Sequence, residues 1–322
     1  MSAGTVFDGT RVRRELVHRA HEQEVLVSPP WQTAGGGFGG ATATAAIGPY
    51  YRDHPRTHWL DVLLLIEACR QTALSAAHEF EGLSSDIAFF FNSIDLEITD
   101  LESLAGVGGE LTIGTVFQQL RLRGDGSPKQ IEYTQQGSDG SDRPVLRTSM
   151  AVQGVPKGRY RELRAYQRNG SAPPTTEGLR SDPARRAGLS APEQVARKLA
   201  THVVLADVRA EAGGVTAALA PDFANASLFD HDYDHYPAMV LIEAGRQLAL
   251  HGTGRPAGHV VTAVRATFAH FAELDRETRI VAEQPAVSGG ERWVDAECVQ
   301  DGLAVTRMSF RVTPVGPEGS TR

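Results

Sequence analysis

The chain has 322 residues, of which 41% are hydrophobic and 22% charged, a composition typical of soluble globular proteins with room for two domains. Its formal net charge of −7 argues against a nucleic-acid-binding protein, because contact with phosphates requires a basic surface. No run of about 18 apolar residues predicts a transmembrane helix, and the N-terminus does not resemble a secretory signal. We therefore expect a cytoplasmic protein that does not insert into membranes.

The first half of the chain is predicted to form one long helix followed by an antiparallel sheet. The glycine-rich run at residues 35–40 is interpreted as a turn between strands; a phosphate-binding loop would need a helix directly after it, and residues 41–47 are strand-like. The helix is expected at about residues 60–80, buried because residues 62–66 are apolar all round. Strands are predicted at 87–91, 94–98, 110–123, 130–135 and 145–155.

The second half repeats this order after a change in composition. Residues 157–192 are rich in proline, glycine and arginine and are interpreted as a linker, although the arginines could instead dock an acidic partner. A helix is expected at 238–250, with strands at 202–209, 215–219, 260–268, 278–286, 293–300 and 303–312. The predicted domains are 1–156 and 193–314, with the linker 157–192 between them and a tail at 315–322.

An internal repeat lies inside the two predicted helices. The frame Ile-Glu-Ala-x-Arg-Gln-x-Ala-Leu occurs at Glu67 and again, 176 positions later, at Glu243. Its polar members are Glu67, Arg70 and Gln71 in the first copy and Glu243, Arg246 and Gln247 in the second. At spacings of three and four residues, each trio shares one helix face.

The repeated glutamate indicates either catalysis or a buried structural ion pair. An exposed ion pair is disfavoured, because the flanking apolar residues leave little room for a solvated face. A buried carboxylate costs several kcal/mol unless it is paired or protonated, so its pKa tends to rise, which suits proton transfer near neutral pH. The two interpretations stay open at this point.

Histidine pairs precede both copies and are candidate partners of the glutamates. His54 and His58 precede the first copy, and His231 and His235 precede the second. These histidines could frame a binding site, or they could be ordinary hydrogen-bonding residues. No third ligand is evident for a metal, so neither a metal nor a cofactor is predicted. Cys69 is interpreted as a small buried residue rather than a nucleophile, because Gly245 holds its place in the second copy.

The pattern His…Pro237-x-x-x-x-Ile-Glu-Ala resembles the start of the central helix in hotdog-fold acyl carrier protein dehydratases and thioesterases. The two Glu-Ala-x-Arg-Gln cores, the opening Leu16-Val-His-Arg and the segment Ala88-Phe-Phe-Phe-Asn are more narrowly similar to the A-factor biosynthesis (AfsA-type) hotdog family. This resemblance implies an α+β fold, a tandem (double) hotdog in which a long central helix of each unit is wrapped by an antiparallel β-sheet. It also implies a monomeric pseudo-dimer or a homodimer.

The resemblance further implies an acyltransferase. Members of the family move a β-ketoacyl group from an acyl carrier protein (or acyl-CoA) to the hydroxyl of dihydroxyacetone phosphate, the first step towards γ-butyrolactone-type signals of secondary metabolism. Rival hypotheses are a hotdog dehydratase or thioesterase acting on carrier-bound acyl chains, and a non-catalytic acyl- or lactone-binding protein.

The site residues follow from the match to the repeat. Candidate catalytic residues are Glu243, Arg246, His231, His235, Glu67 and Arg70, and candidate substrate-binding residues are Gln247, Gln71, His54 and His58. The second copy is favoured as the working site, because Pro237 and a histidine pair stand directly before its helix. Glu243 would then be the general base and Arg246 its partner or the ligand of the substrate phosphate.

Overall fold

A long helix packed against an antiparallel sheet is built twice in this chain. The computed structural model describes residues 9–43, 47–55, 61–107, 110–288 and 291–315. They form two compact units. The first comprises the described residues up to Arg52 and those from 61 to Ala172, and the second comprises those from Pro173 onward together with residues 53–55.

The central helix of the first unit is α1, Val62–Phe80. Asp61 caps it, because its carboxylate accepts a hydrogen bond from the Leu63 amide at 2.9 Å. Every residue from Val62 to His78 is buried except Arg70. The predicted burial of this helix is confirmed, and its position makes any charge on it a charge in the core.

The sheet of the first unit wraps this helix. Its strands are β1 (Trp31–Gln32), β2 (Phe38–Ala43), β3 (Ile87–Ile98), β4 (Glu110–Leu122), β5 (Pro128–Ser138) and β6 (Pro144–Pro156). They pair antiparallel in the order β1-β2-β4-β5-β6-β3. The two strands predicted at 87–91 and 94–98 form one strand with a bulge after Phe91. Two short helices accompany the sheet, α2 (Leu101–Gly106) and α3 (Lys157–Gln167).

The glycine-rich run has two structural parts. Residues 33–37 form the turn between β1 and β2, where the Thr33 amide bonds to the Gly37 carbonyl, whereas Gly39 and Gly40 lie inside β2. A Cβ at Gly40 would stand 2.8 Å from Cγ2 of Thr72 on α1. Glycine is therefore required there by the close approach of strand and helix.

The second unit has the same build. It contains the short helix α4 (Thr176–Leu179), the central helix α5 (Ala238–His251) and the strands β7 (Leu205–Glu211), β8 (Gly214–Leu219), β9 (His259–Phe268), β10 (Arg279–Glu283), β11 (Ala286–Ser288), β12 (Glu291–Gln300) and β13 (Leu303–Pro314). The strands pair antiparallel in the order β9-β13-β12-β10-β8-β7, with β11 on β12. The predicted tandem hotdog is confirmed.

The predicted domain limits stay a prediction, and two observations bear on them. Residues 157–192, interpreted as a linker, carry α3 and α4, and Arg164 on α3 is buried. Residues 53–55, assigned by the sequence to the first domain, belong to the second unit. Among the described residues, no helix is both long enough and apolar enough to cross a bilayer.

Gly245 in the middle of α5 gives a test of the packing. A Cβ at this position would meet Cε2 of Phe310 at 2.7 Å and Cε of Met308 at 2.8 Å. Phe310 is fully buried, so a shift of its ring would disturb the surrounding core. We expect Gly245→Ala to be destabilising, because overpacking costs about 1–3 kcal/mol and outweighs the roughly 1 kcal/mol that alanine contributes to helix propensity.

Urea denaturation of Gly245→Ala and wild type measures this effect. Gly252→Ala is the matched control, because a Cβ there has no neighbour nearer than 3.6 Å. That control should be neutral or stabilising by up to about 1 kcal/mol. Equal midpoints for the two variants would contradict the close packing of Gly245.

Candidate functional site

A buried carboxylate on α1 is surrounded by cationic and amide donors. Glu67 is fully buried. It accepts hydrogen bonds from Nε of Arg19 at 3.0 Å, from Nε and Nη2 of Arg70 at 2.9 and 2.7 Å, and from Nε2 of Gln71 at 2.6 Å. Two guanidiniums thus compensate one carboxylate, as burial of a charge requires.

The same side chains bind the segment that precedes the sheet. Gln71 donates to the Glu24 carbonyl at 2.8 Å and accepts from the Leu26 amide at 2.8 Å. Arg70 donates from Nη2 to the Val17 carbonyl at 3.0 Å. The cluster therefore fixes residues 17–26 against the central helix.

The second unit repeats the arrangement atom for atom. Glu243 accepts from Nε of Arg197 at 2.8 Å, from Nε and Nη2 of Arg246 at 2.6 and 2.9 Å, and from Nε2 of Gln247 at 2.5 Å. Gln247 in turn donates to the His202 carbonyl at 2.8 Å. We define the Glu67 cluster as Arg19, Glu67, Arg70 and Gln71, and the Glu243 cluster as Arg197, Glu243, Arg246 and Gln247.

The sequence analysis did not identify Arg19 and Arg197, the members of the two clusters that lie outside the central helices. These arginines are 178 positions apart, whereas the glutamates are 176 apart, so a gap-free alignment of the helices does not reach them. A signal was present in Val-x-Arg, which occurs at Val17 and Val195. The residue between is left-handed in both copies, with φ 53° at His18 and 54° at Ala196.

The charge state of Glu67 corrects the prediction of a raised pKa. Burial acts to raise the pKa of this carboxyl, but the guanidiniums of Arg19 and Arg70 and their hydrogen bonds outweigh it and lower the pKa to about 2. Glu67 is therefore ionised at neutral pH and is a poor proton acceptor. The prediction of an elevated pKa is wrong for this residue.

The two clusters differ in access to solvent. The Arg70 side chain is 19% exposed, whereas the Arg246 side chain is 2% exposed and that of Arg197 fully buried. A substrate anion could thus reach the guanidinium of the first cluster more readily than those of the second. Cys69 lies next to the first cluster, fully buried, and burial raises the pKa of its thiol, as expected of a packing residue.

The histidines before the second helix lie beside aspartates. Nδ1 of His235 is 2.6 Å from Oδ1 of Asp234, and its ring contacts Phe271. His231 stacks on Tyr233 and is nearly half exposed. Their predicted catalytic roles stay predictions.

His54 belongs to the second unit, although it precedes the first copy of the repeat in the chain. It is buried. Burial, followed by the positive charges of Arg246 and Arg197, lowers its pKa to about 3. His54 is therefore a neutral imidazole near the Glu243 cluster. His58 lies outside the described residues.

Asp53 holds this short segment in the second unit. Its Oδ2 accepts from the Lys198 and Leu199 amides at 3.1 and 3.2 Å, and it lies 2.9 Å from Nδ1 of His202. Burial acts to raise the pKa of Asp53, but the His202 contact and the two amides lower it. Lys198 and Leu199, whose amides bind Asp53, come immediately after Arg197 in the chain. The contact with Asp53 therefore also supports the position of Arg197 in the Glu243 cluster.

Comparison with known proteins shows that both halves of the chain match the same protein-family model. The model of the A-factor biosynthesis hotdog domain, AfsA, matches residues 7–153 and 180–316. A 2-oxo-3-(phosphooxy)propyl 3-oxoalkanoate synthase of Streptomyces virginiae is 30% identical over 308 residues, which cover 91% of this chain and 95% of the relative. A synthase of the same name from Streptomyces coelicolor is 30% identical over 311 residues, covering 94% and 90%.

Solved structures are similar in fold. The 12:0-ACP thioesterase from Umbellularia californica has a TM-score of 0.51 at 10% identity and covers 89% of this chain and 95% of its own. The dehydratase domain of RzxB from Pseudomonas fluorescens has a TM-score of 0.50 at 12% identity and covers 91% and 99%. At such low identity the likeness extends to the fold alone.

The ionised state of Glu67 predicts a pH-dependent contribution to stability. Folding lowers the pKa of Glu67 from an ordinary value of 4.5 to about 2. A carboxyl group of this kind stabilises the folded protein above the unfolded-state pKa, and the stabilisation is lost as the pH falls towards the folded-state pKa. We expect Glu67→Gln to be destabilised by about 3–5 kcal/mol at neutral pH, because the buried guanidinium of Arg19 and the partly exposed one of Arg70 both lose their anion.

The destabilisation should shrink between about pH 4.5 and pH 2, where wild-type Glu67 also becomes neutral. Urea midpoints of both proteins over this range measure it. Glu79→Gln, at an exposed position on the same helix, controls for the loss of one charge. A destabilisation of Glu67→Gln that does not vary with pH would contradict the assigned charge state.

Proposed function

This chain belongs to the A-factor biosynthesis (AfsA) hotdog family, and we propose that it is a synthase that transfers a 3-oxoacyl group to dihydroxyacetone phosphate. The observation that carries the proposal is similarity to the named synthases along nearly the whole length of both partners, through both units. The product would be the ester of the 3-oxo acid with the free hydroxyl of dihydroxyacetone phosphate. This ester would begin a route to a γ-butyrolactone-type signal.

The acyl group must reach the enzyme in activated form, and we propose a thioester on a carrier protein. The exposed face of α3 offers a docking surface of suitable charge. Lys157, Arg159 and Arg161 are exposed on this helix, and Tyr166 is exposed near its C-terminal end. A helix with three exposed basic residues and an exposed aromatic residue fits an acidic carrier, because complementary charges steer association.

Charge reversal on α3 tests this surface. Arg159→Glu combined with Arg161→Glu should lower kcat/KM at least about tenfold for a carrier-bound donor, chiefly through association, and the effect should weaken at high salt. Transfer from a small free thioester should not change. Equal loss with both donors would contradict carrier docking on α3.

We propose that the repeated glutamates hold arginines and do not abstract protons. Both oxygens of Glu67 and of Glu243 accept bonds from guanidinium groups. A carboxylate held in this way orients its arginines towards a fixed position. Of the two clusters, the one with the more exposed guanidinium, Arg70, is better suited to bind the substrate phosphate or the polarised carbonyl.

Purified protein, a 3-oxoacyl thioester and dihydroxyacetone phosphate should yield the phosphorylated ester, detected by mass spectrometry. We expect Arg70→Gln to raise KM for dihydroxyacetone phosphate by about 10- to 100-fold, as loss of a charged hydrogen bond of roughly 1.5–3 kcal/mol implies. The paired variant Arg246→Gln should chiefly lower stability.

The two halves of the chain serve as each other's control in this assay. A larger rise in KM for Arg246→Gln than for Arg70→Gln would move the working site to the second unit, as the sequence favoured. Release of free thiol at the same rate with and without the acceptor, and no ester, would contradict the proposed transfer and indicate a hydrolase.

A further inference from the structure

Two histidines meet in the first unit, outside the ion-pair clusters. Nε2 of His18 lies 3.1 Å from Nε2 of His78, although the residues are 60 positions apart in the chain. His18 belongs to the segment before the sheet, and His78 lies near the end of α1. The ring of Phe89 packs against both imidazoles, with centroid distances of 5.7 and 6.2 Å. The pair is a packed, directional contact.

The backbone fixes which nitrogens of this pair carry protons. Nδ1 of His78 is 2.7 Å from the Leu83 carbonyl oxygen. Because a carbonyl only accepts, Nδ1 of His78 must be protonated, and in the neutral ring Nε2 then holds a lone pair. The 3.1 Å contact therefore requires His18 to donate from Nε2. Neutral His18 consequently holds its own lone pair on Nδ1.

His78 is neutral at physiological pH. Burial lowers its pKa, the Leu83 carbonyl opposes this, and the positive charge of Lys157 lowers it further. His18 is only half-buried. The pair thus consists of a buried neutral acceptor and a more accessible imidazole held in one tautomer, the arrangement by which an orienting group prepares a general base.

The second unit is built without this pair. Ala196 occupies the position of His18 with φ 54° against 53°, and Gly254 falls at the position of His78. The same left-handed residue and the same ion-pair cluster form there without a histidine at either of these two positions. Folding of a unit therefore does not require the two histidines.

The pair also lies next to the more exposed of the two clusters. His18 stands between Val17, whose carbonyl accepts from Arg70, and Arg19, which donates to Glu67. Its backbone is therefore held on both sides by contacts with the Glu67 cluster. Because Glu67 is ionised and bonded to two arginines, the reaction needs a different proton acceptor.

We propose that His18 is the general base and general acid of acyl transfer, and that His78 is the positioning residue that holds its tautomer. The inference rests on the proposed function. His18 takes the hydroxyl proton of dihydroxyacetone phosphate as the alcohol oxygen bonds to the thioester carbonyl carbon. The C–S bond then breaks, and the imidazolium returns the proton to the leaving thiolate. One alcohol and one thioester thus give one ester and one thiol.

His18→Ala tests the proposal in a protein that should fold, since alanine occupies the same left-handed position at Ala196. We expect kcat to fall about 10²- to 10⁴-fold with little change in KM, as loss of a general base implies. Added imidazole should restore part of the activity. The control His21→Ala removes an exposed histidine from the same segment and should keep wild-type rates without a response to imidazole.

The positioning role of His78 is tested by measurements that a loss of packing alone would not change. His78→Ala should lower kcat about tenfold, and His78→Gln, which can still accept from Nε2 of His18, should recover part of the loss. In wild type, nitrogen-15 spectra of the histidine rings should show Nδ1–H on His78 and Nε2–H on His18. The opposite tautomers would overturn the positioning role without any activity assay.

Thiol release is followed alongside ester formation, so that two failures can be told apart. If wild type cleaves the thioester but forms no ester, the proposed function fails, and His18→Ala is still tested on thiol release. If wild type forms ester and His18→Ala does so at the same kcat, His18 is not the base. Inactivity of His18→Ala with a lowered melting temperature and no imidazole rescue would likewise overturn the proposal.

Discussion

A carboxylate buried in the middle of each central helix is the constraint on which much of this structure depends. Removing such a charge from water costs several kcal/mol unless donors replace the lost hydration. Glu67 meets this requirement with one arginine from its own helix turn and one from the segment before the sheet. The compensation therefore fixes tertiary structure, because the segment must lie against the helix for the charge to be tolerated. Glu243 imposes the same condition with Arg197 and Arg246.

The same compensation decides the chemistry open to the glutamates. At Glu67 the donors that stabilise the ionised form depress the pKa, and in both clusters donors take up the oxygens that would accept a proton. The repeat that carries the family resemblance is thus best understood as a device that positions arginines. In the proposed mechanism, proton transfer falls to a side chain that is oriented and partly accessible, and His18, which contacts His78, has these properties.

The two units share a framework but differ in what surrounds it. The first combines a partly exposed arginine with a histidine pair, whereas the second has a deeply buried cluster and receives a neutral His54 from residues 53–55. Both units contain the same ion-pair cluster although its surroundings differ.

Local periodicity in the sequence determined the helices at 62–80 and 238–251, the strands, and the shared face of Glu67, Arg70 and Gln71, because these follow from spacing along one element. The doubled motif and its resemblance determined the tandem fold. Only the tertiary structure decided what compensates the charge. Arg19 lies 48 positions from Glu67, and His18 lies 60 from His78. The ionisation of a buried group depends on such distant partners, and burial without them predicted the opposite shift in pKa.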